Sequence, residues 1–162
     1  MKRLLLYVHF NKYDHISRHV FYKLEHMRPL FDKLVFISNS RLSESEVQKL
    51  RDKHLIDDFI QRENKGYDFA AWHDGMEFVG FDNLKQYDSV TVMNDTCFGP
   101  LWDMTPIYDN YESNPNVDFW GMTNHQGIKA GDIYIHEHLQ SYFISFKKHL
   151  VESSVFQKFW KS

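Results

Sequence analysis

The chain of 162 residues has a single cysteine, Cys97, and only four prolines. One thiol excludes an internal disulfide and any zinc site built on cysteine pairs, and it fits a reducing compartment. Basic residues are not in excess either: 19 Lys and Arg stand against 22 Asp and Glu, for a formal net charge of −3. Without a basic surplus the chain has little to hold a phosphate backbone, so no nucleic-acid partner is expected. No apolar run approaches the ~18 residues that a membrane-spanning helix needs. Met1-Lys2-Arg3 followed by Leu4 to Val8 imitates a secretory leader, but the run stops at His9, and no small-residue cleavage site follows Asn11-Lys12. The expected location is the cytoplasm, with any membrane contact peripheral and at the inner face. Two nucleotide signatures are also missing: the G-x-G-x-x-G run of dinucleotide folds, and the glycine-rich loop ending in G-K-S or G-K-T of phosphate-loop hydrolases.

What is present is an ordinary globular composition, 43% apolar and 25% charged, with an excess of aromatics at 17% and ten histidines. The length corresponds to about one domain, burying roughly 70% of its unfolded surface. Leu4 to Phe10 is a short continuous apolar run, the pattern of a strand buried on both faces; Lys33 to Ser38 is a second strand of the buried type, and Ser89 to Met93 a β-branched and apolar one. Asp58 to Arg62, Val117 to Met122 and His138 to Phe146 are further strands. Between them, Ile16 to Leu30 repeats apolar residues at three- and four-residue spacing, with Pro29 favouring termination. Ser43 and Glu46 form a capping box for a helix that runs to about His54. A third helix opens at Asp68 and passes through Trp72, Met76 and Val79. A short helix covers Met104 to Tyr111, Thr123 to Asp132 is expected to be a mobile loop, and Glu152 to Trp160 is a terminal amphipathic helix. Alternating strands and helices imply an α/β three-layer sandwich, a mostly parallel sheet with helices on both faces.

In such sheets ligands bind beyond the carboxyl ends of the strands. The segments expected there are His9 to Tyr13, Ser38 to Ser40, Glu63 to Asp68 and Asn94 to Thr96, all polar where the preceding strands are apolar. Asn64-Lys65-Gly66-Tyr67-Asp68 puts a cation, a glycine and a helix start within five residues, a set that suits an anionic phosphate or an oxygen-rich ribose. The same loop also reads as a plain helix cap at Asp68 and a turn at Gly66. Asp95, between the amide of Asn94 and the hydroxyl of Thr96, suits a hard cation such as Mg²⁺ or Mn²⁺ that shares its shell with diphosphate oxygens; a strand-end turn accounts for the same residues. His15 and His19 read as a solvated helix face. Asp132, His136 and His138 are the local candidates for a catalytic base, with surface residues as the alternative. Among the aromatics Trp102 is the best candidate to stack on a sugar or base; Trp72, Trp120, Tyr67 and Tyr142 are weighed against core packing.

The blocks Glu63 to Trp72, Tyr87 to Pro100, and His138 to Lys148 with Val155 to Trp160 resemble, in order, the rhamnan synthesis protein F family. The resemblance implies a GT-A-like glycosyltransferase, a rhamnosyltransferase of cell-wall or lipopolysaccharide polysaccharide synthesis. It implies dTDP-rhamnose or another nucleotide sugar as donor and a lipid-linked glycan as acceptor. It places Asn94-Asp95-Thr96 where such enzymes carry an acidic metal motif, here with one carboxylate instead of two. Ser38-Asn39-Ser40 falls where the second strand meets the nucleobase, and Asn64, Gly66 and Asp68 fall in the donor-binding third loop. The expected donor-binding residues are thus His9, Asn11, Ser38, Asn39, Asn64, Lys65, Gly66, Asp68, Asn94 and Thr96, with Asp95 as metal ligand. Relatives of this family are expected to continue beyond Trp160 into an acceptor-binding part that carries the acidic catalytic residue. The alternative is a non-catalytic nucleotide-sugar or glycan-binding module of the same fold.

Overall fold

The computed structural model describes residues 1–96, 103–122, 124–125, 128–130, 132–135, 138–139 and 143–161. Its central sheet has six strands in the order β3-β2-β1-β4-β10-β5. These are β1 (Arg3–His9), β2 (Lys33–Ser38), β3 (Asp58–Gln61), β4 (Ser89–Asn94), β5 (Phe119–Gly121) and β10 (Phe143–Lys147). β1 lies parallel to both β2 and β4, and β2 parallel to β3, with Leu5 opposite Leu34 on one side and Thr91 on the other. β10 runs antiparallel to β4 and to β5, so the sheet is mixed.

Both faces of the central strands are covered, which is why β1 and β2 carry unbroken apolar runs. On one face Leu5, Tyr7, Leu34 and Phe36 pack with Val20, Leu24 and Met27 of α1 (Arg18–Met27), Leu50 of α2 (Glu44–Asp52) and Tyr108 of α5 (Thr105–Ser113). On the other, Leu4, Leu6, Val35, Ile37 and Val92 pack with Trp72 and Met76 of α3 (Tyr67–Val79) and with Leu84 of α4 (Phe81–Leu84). Val151 of α6 (Lys148–Val151) and Phe156 and Trp160 of α7 (Ser154–Lys161) complete that layer. Gly75 lets α3 approach closely: a Cβ there would fall 2.6 Å from Ile37 Cδ1. The close fit seats the body of α3 against Ile37 of β2 and Leu6 of β1.

Several expectations change in detail. The first helix is shorter than its apolar spacing suggests, starting at Arg18 and passing at Arg28 into a single 3-10 turn that carries Pro29. The capping box is half formed: Ser43 Oγ accepts the Glu46 N–H at 3.3 Å, while the Glu46 carboxylate goes instead to the Ile16 N–H and to Lys49. Part of the expected loop at 123–132 lies in short antiparallel pairs, β6 (Asn124–His125) with β9 (His138–Leu139) and β7 (Ile128–Ala130) with β8 (Ile133–Ile135). The expected single strand from His138 to Phe146 is thereby divided between β9 and β10. Among the described residues no helix is long and apolar enough to cross a membrane.

Candidate functional site

Because β1 to β4 are parallel, the loops that follow them emerge on one edge. His9, at the end of β1, is fully buried. Its Nδ1 lies 3.0 Å from Ser38 Oγ and its Nε2 3.2 Å from the His15 carbonyl. A carbonyl only accepts, so Nε2 carries the proton and Nδ1 accepts from the serine hydroxyl. Burial, the largest influence, lowers the imidazole pKa from 6.5 to about 4 and keeps the ring neutral. His9 and Ser38 therefore tie β1 to β2 inside the protein. Asn11 and Ser40 continue the tie: the Asn11 N–H donates to Ser40 Oγ at 2.7 Å, and that hydroxyl donates back to the Asn11 carbonyl at 2.9 Å.

Beyond β2 and β3 lies an open cleft of about 710 Å³. Three of the expected residues line it, Asn39, Asn64 and Lys65, together with Arg41, Arg62 and Asp14, which sequence reasoning did not select. Arg62 organises this wall. Its Nε donates to Asp74 Oδ2 at 2.8 Å, Nη1 to Asn39 Oδ1 at 2.7 Å and Nη2 to the Lys65 carbonyl at 3.0 Å. Its place directly after a strand and before the Gly66 turn was the available signal. Lys65 itself is exposed and pairs with Glu63 at 2.7 Å.

The loop then turns through Gly66 at φ +74° and Tyr67 at φ +56°, and α3 begins. Gly66, not Asp68, is the residue that precedes the helix, so Asp68 does not act as its cap. Instead Asp68 Oδ2 accepts from Asn94 Nδ2 at 2.8 Å, joining the first turn of α3 to the end of β4. Asn94 Oδ1 accepts from the Thr96 hydroxyl at 2.8 Å and from its N–H at 3.2 Å.

Asp95 Oδ2 accepts the Phe10 N–H at 3.0 Å, linking β4 back to β1. Burial raises its pKa, opposed by that hydrogen bond and by the nearby His19 and Lys23. Neither of those side chains is on a solvated face. His19 Nε2 lies 2.8 Å from the Asp95 carbonyl, and the buried Lys23 donates to the Asn94 carbonyl at 3.3 Å. This corrects the expectation for His19; His15, by contrast, is exposed and precedes α1.

The structure thus brings the four expected segments to one edge, with His9 and Ser38 inside it and Asn39, Asn64 and Lys65 on its cleft. Asp132 is exposed, His138 lies in β9, and His136 lies outside the described residues, as do Cys97, Trp102 and Tyr142. Trp72 and Trp120 are core residues, with the Trp72 indole N–H donating to the Met93 carbonyl at 3.2 Å. Among the described residues, the side chains close enough to share an ion are His73, Asp74 and Glu77 on α3, and Asp74 already pairs with Arg62.

Comparison with known proteins gives the family. The chain is 30% identical over 130 residues to virulence protein VirA of Vibrio anguillarum, an alignment covering 80% of this chain and 37% of that protein. It is 29% identical over 143 residues to the uncharacterized protein y4gN of Sinorhizobium fredii, covering 88% of this chain and 35% of that one. The chain therefore spans little more than a third of the length of these relatives. Among solved structures, HddC from Yersinia pseudotuberculosis superposes with a TM-score of 0.50 at 11% identity, over 94% of this chain and 79% of HddC, a likeness of fold alone. The sequence pattern of rhamnan synthesis protein F matches residues 34–162, which hold the second and third loops of the cleft and all strands of the central sheet but β1. The chain belongs to the rhamnan synthesis protein F family, a family named for rhamnan synthesis.

Proposed function

We propose that the edge formed by β1 to β4 binds a nucleotide sugar, and that the chain takes part in glycosyl transfer during synthesis of a rhamnose-containing polysaccharide. The observation that carries this reading is the 2.8 Å contact between Asn94 and Asp68, which joins the end of β4 to the first turn of α3 after the third loop, two walls of the proposed crevice. A diphosphate in that crevice would meet the first-turn amides of α3, which have no intrahelical acceptors, with Lys65 nearby. The base and ribose would occupy the cleft past Asn39 and Asn64. The donor expected from the family is dTDP-rhamnose or another nucleotide sugar. The acceptor is a lipid-linked glycan, which puts the reaction at the cytoplasmic face of a membrane.

Asp95 would hold Mg²⁺ or Mn²⁺. A single protein carboxylate with lone pairs left beyond the Phe10 hydrogen bond fits an ion that takes the rest of its shell from diphosphate and water. Such an ion supplies neutralising charge for the departing diphosphate. The chain's own contribution is to position the donor and to offer fixed dipoles where negative charge develops.

The test is calorimetric titration of the full chain with dTDP and dTDP-rhamnose, with and without Mn²⁺, followed by an assay of sugar transfer to a lipid-linked glycan. Binding with transfer supports the proposal. Binding without transfer favours the non-catalytic module, and no binding removes the site.

A further inference from the structure

Asn39 is only 6% exposed, yet it lines the cleft. The atom facing Arg62 must be its carbonyl oxygen, because a guanidinium has donors only. The amide NH₂ is therefore turned away from Arg62. Among the described residues no group accepts from it, and it is not among the sealed polar atoms, which are the Tyr7 hydroxyl and the Trp120 indole nitrogen. A side chain buried over most of its surface thus keeps, at the cleft wall, a donor that has no protein partner and is open to solvent or to a ligand. Arg62 cannot readily release it, since Asp74 and the Lys65 carbonyl hold the other two edges of the guanidinium at 2.8 and 3.0 Å. The neighbouring amide of Gln61 is already spent: its Nε2 serves the Ser38 and Ser40 carbonyls and its Oε1 accepts the Leu42 N–H.

We infer that Asn39, latched by Arg62, is the specificity-determining residue of this cleft and selects nucleobases that present a carbonyl oxygen over those that present an amino group. The inference rests on the nucleotide-sugar reading and adds the chemistry of the base. A fixed NH₂ meets O4 of uracil or thymine as donor to acceptor. The amino group of cytosine at the same ring position sets donor against donor and leaves both without a partner. Arg62 is a positioning residue: it touches the amide and the loop, not the base.

Uridine and cytidine diphosphates make the minimal pair. Calorimetric titration of the full chain should show UDP and dTDP binding about tenfold more tightly than CDP, the worth of one good hydrogen bond against one clash of donors. Asn39→Asp keeps an oxygen for Arg62 and exchanges the donor for an acceptor, so CDP should become the preferred ligand even if the added charge weakens all three. Arg62→Ala frees the amide to rotate and should bring UDP and CDP to within about twofold of each other. A loss of loop structure alone would weaken both by the same factor and keep the roughly tenfold preference, which would overturn the part given to Arg62. Equal affinities for UDP and CDP in the parent chain, or an unchanged order in Asn39→Asp, would overturn the inference and leave the nucleotide-sugar reading in place. Failure of all three to bind would overturn that reading and the inference with it.

Discussion

Asn94 Nδ2 lies 2.8 Å from Asp68 Oδ2, so two residues 26 positions apart join the end of β4 to the first turn of α3. Asn94 is 6% exposed, and its carboxamide oxygen is already engaged by Thr96. Removing the carboxylate leaves a buried NH₂ without an acceptor. Asp68→Ala should therefore lower stability by about 1–3 kcal/mol in urea denaturation and weaken dTDP binding together. A variant as stable as the parent that binds dTDP equally well would show that this contact builds nothing.

Asp95 separates metal binding from folding. Burial raises its folded pKa above the unfolded value, so its contribution favours folding at low pH and is lost as the pH rises through the folded pKa. At neutral pH the ionised carboxylate is a cost. Asp95→Asn keeps an oxygen for the Phe10 N–H and removes that cost, so the variant should melt at the parent temperature or above. It should also lose the Mn²⁺-dependent part of dTDP affinity. A variant that is destabilised but still responds to Mn²⁺ would assign Asp95 to structure alone.

The sheet was legible where its strands are buried on both faces. Leu4 to Val8 and Leu34 to Ile37 show no polar interruption because helices cover both sides of them, and Val90 to Met93 is interrupted only by Thr91, whose hydroxyl is bonded to Tyr108 and Ser145. The direction of β10 was not legible. Phe143, Ser145 and Lys147 are buried in alternation, a pattern identical for a strand running either way. Which way it runs depends on the connection between β5 and β10. The site divided in the same manner. Polar strand ends pointed to the edge where the structure gathers these loops, but they did not separate His9 and Ser38, which bond each other, from Asn39, which lines the cleft. Arg62 was missed because its role consists of three hydrogen bonds to Asn39, Lys65 and Asp74, none adjacent in sequence.

His9 gives the fold an acid limit. The folded imidazole protonates at about 4 against an ordinary 6.5, so the unfolded chain binds the extra proton across that interval. Stability from this group is complete above pH 6.5 and is lost as the pH falls toward 4, by roughly 3 kcal/mol in all. Urea midpoints measured across this range should fall accordingly in the parent. His9→Gln cannot take up the proton, so its midpoint should start lower at pH 7 and change less over the same range. Parallel profiles for the two proteins would place the acid limit elsewhere.

Gly66 tests the turn that opens α3, and Gly80 supplies its control at the other end of the helix. A Cβ at Gly66 would fall 2.5 Å from the Ala70 Cβ, at a φ of +74° that side chains rarely adopt. At Gly80 φ is +95° and the added carbon would meet Asn83 Nδ2 at 3.0 Å. Gly66 is left-handed helical and Gly80 lies outside that region at ψ 127°, and alanine is strained at both, by about 1–3 kcal/mol. Both should therefore melt at lower temperature. Only Gly66→Ala has to shift the backbone between Lys65 and Asp68, which carries the cleft wall and the Asn94 contact. It should lose dTDP affinity, and Gly80→Ala should keep it. Equal losses would mean that affinity follows global stability, and that the turn has no part in holding the ligand.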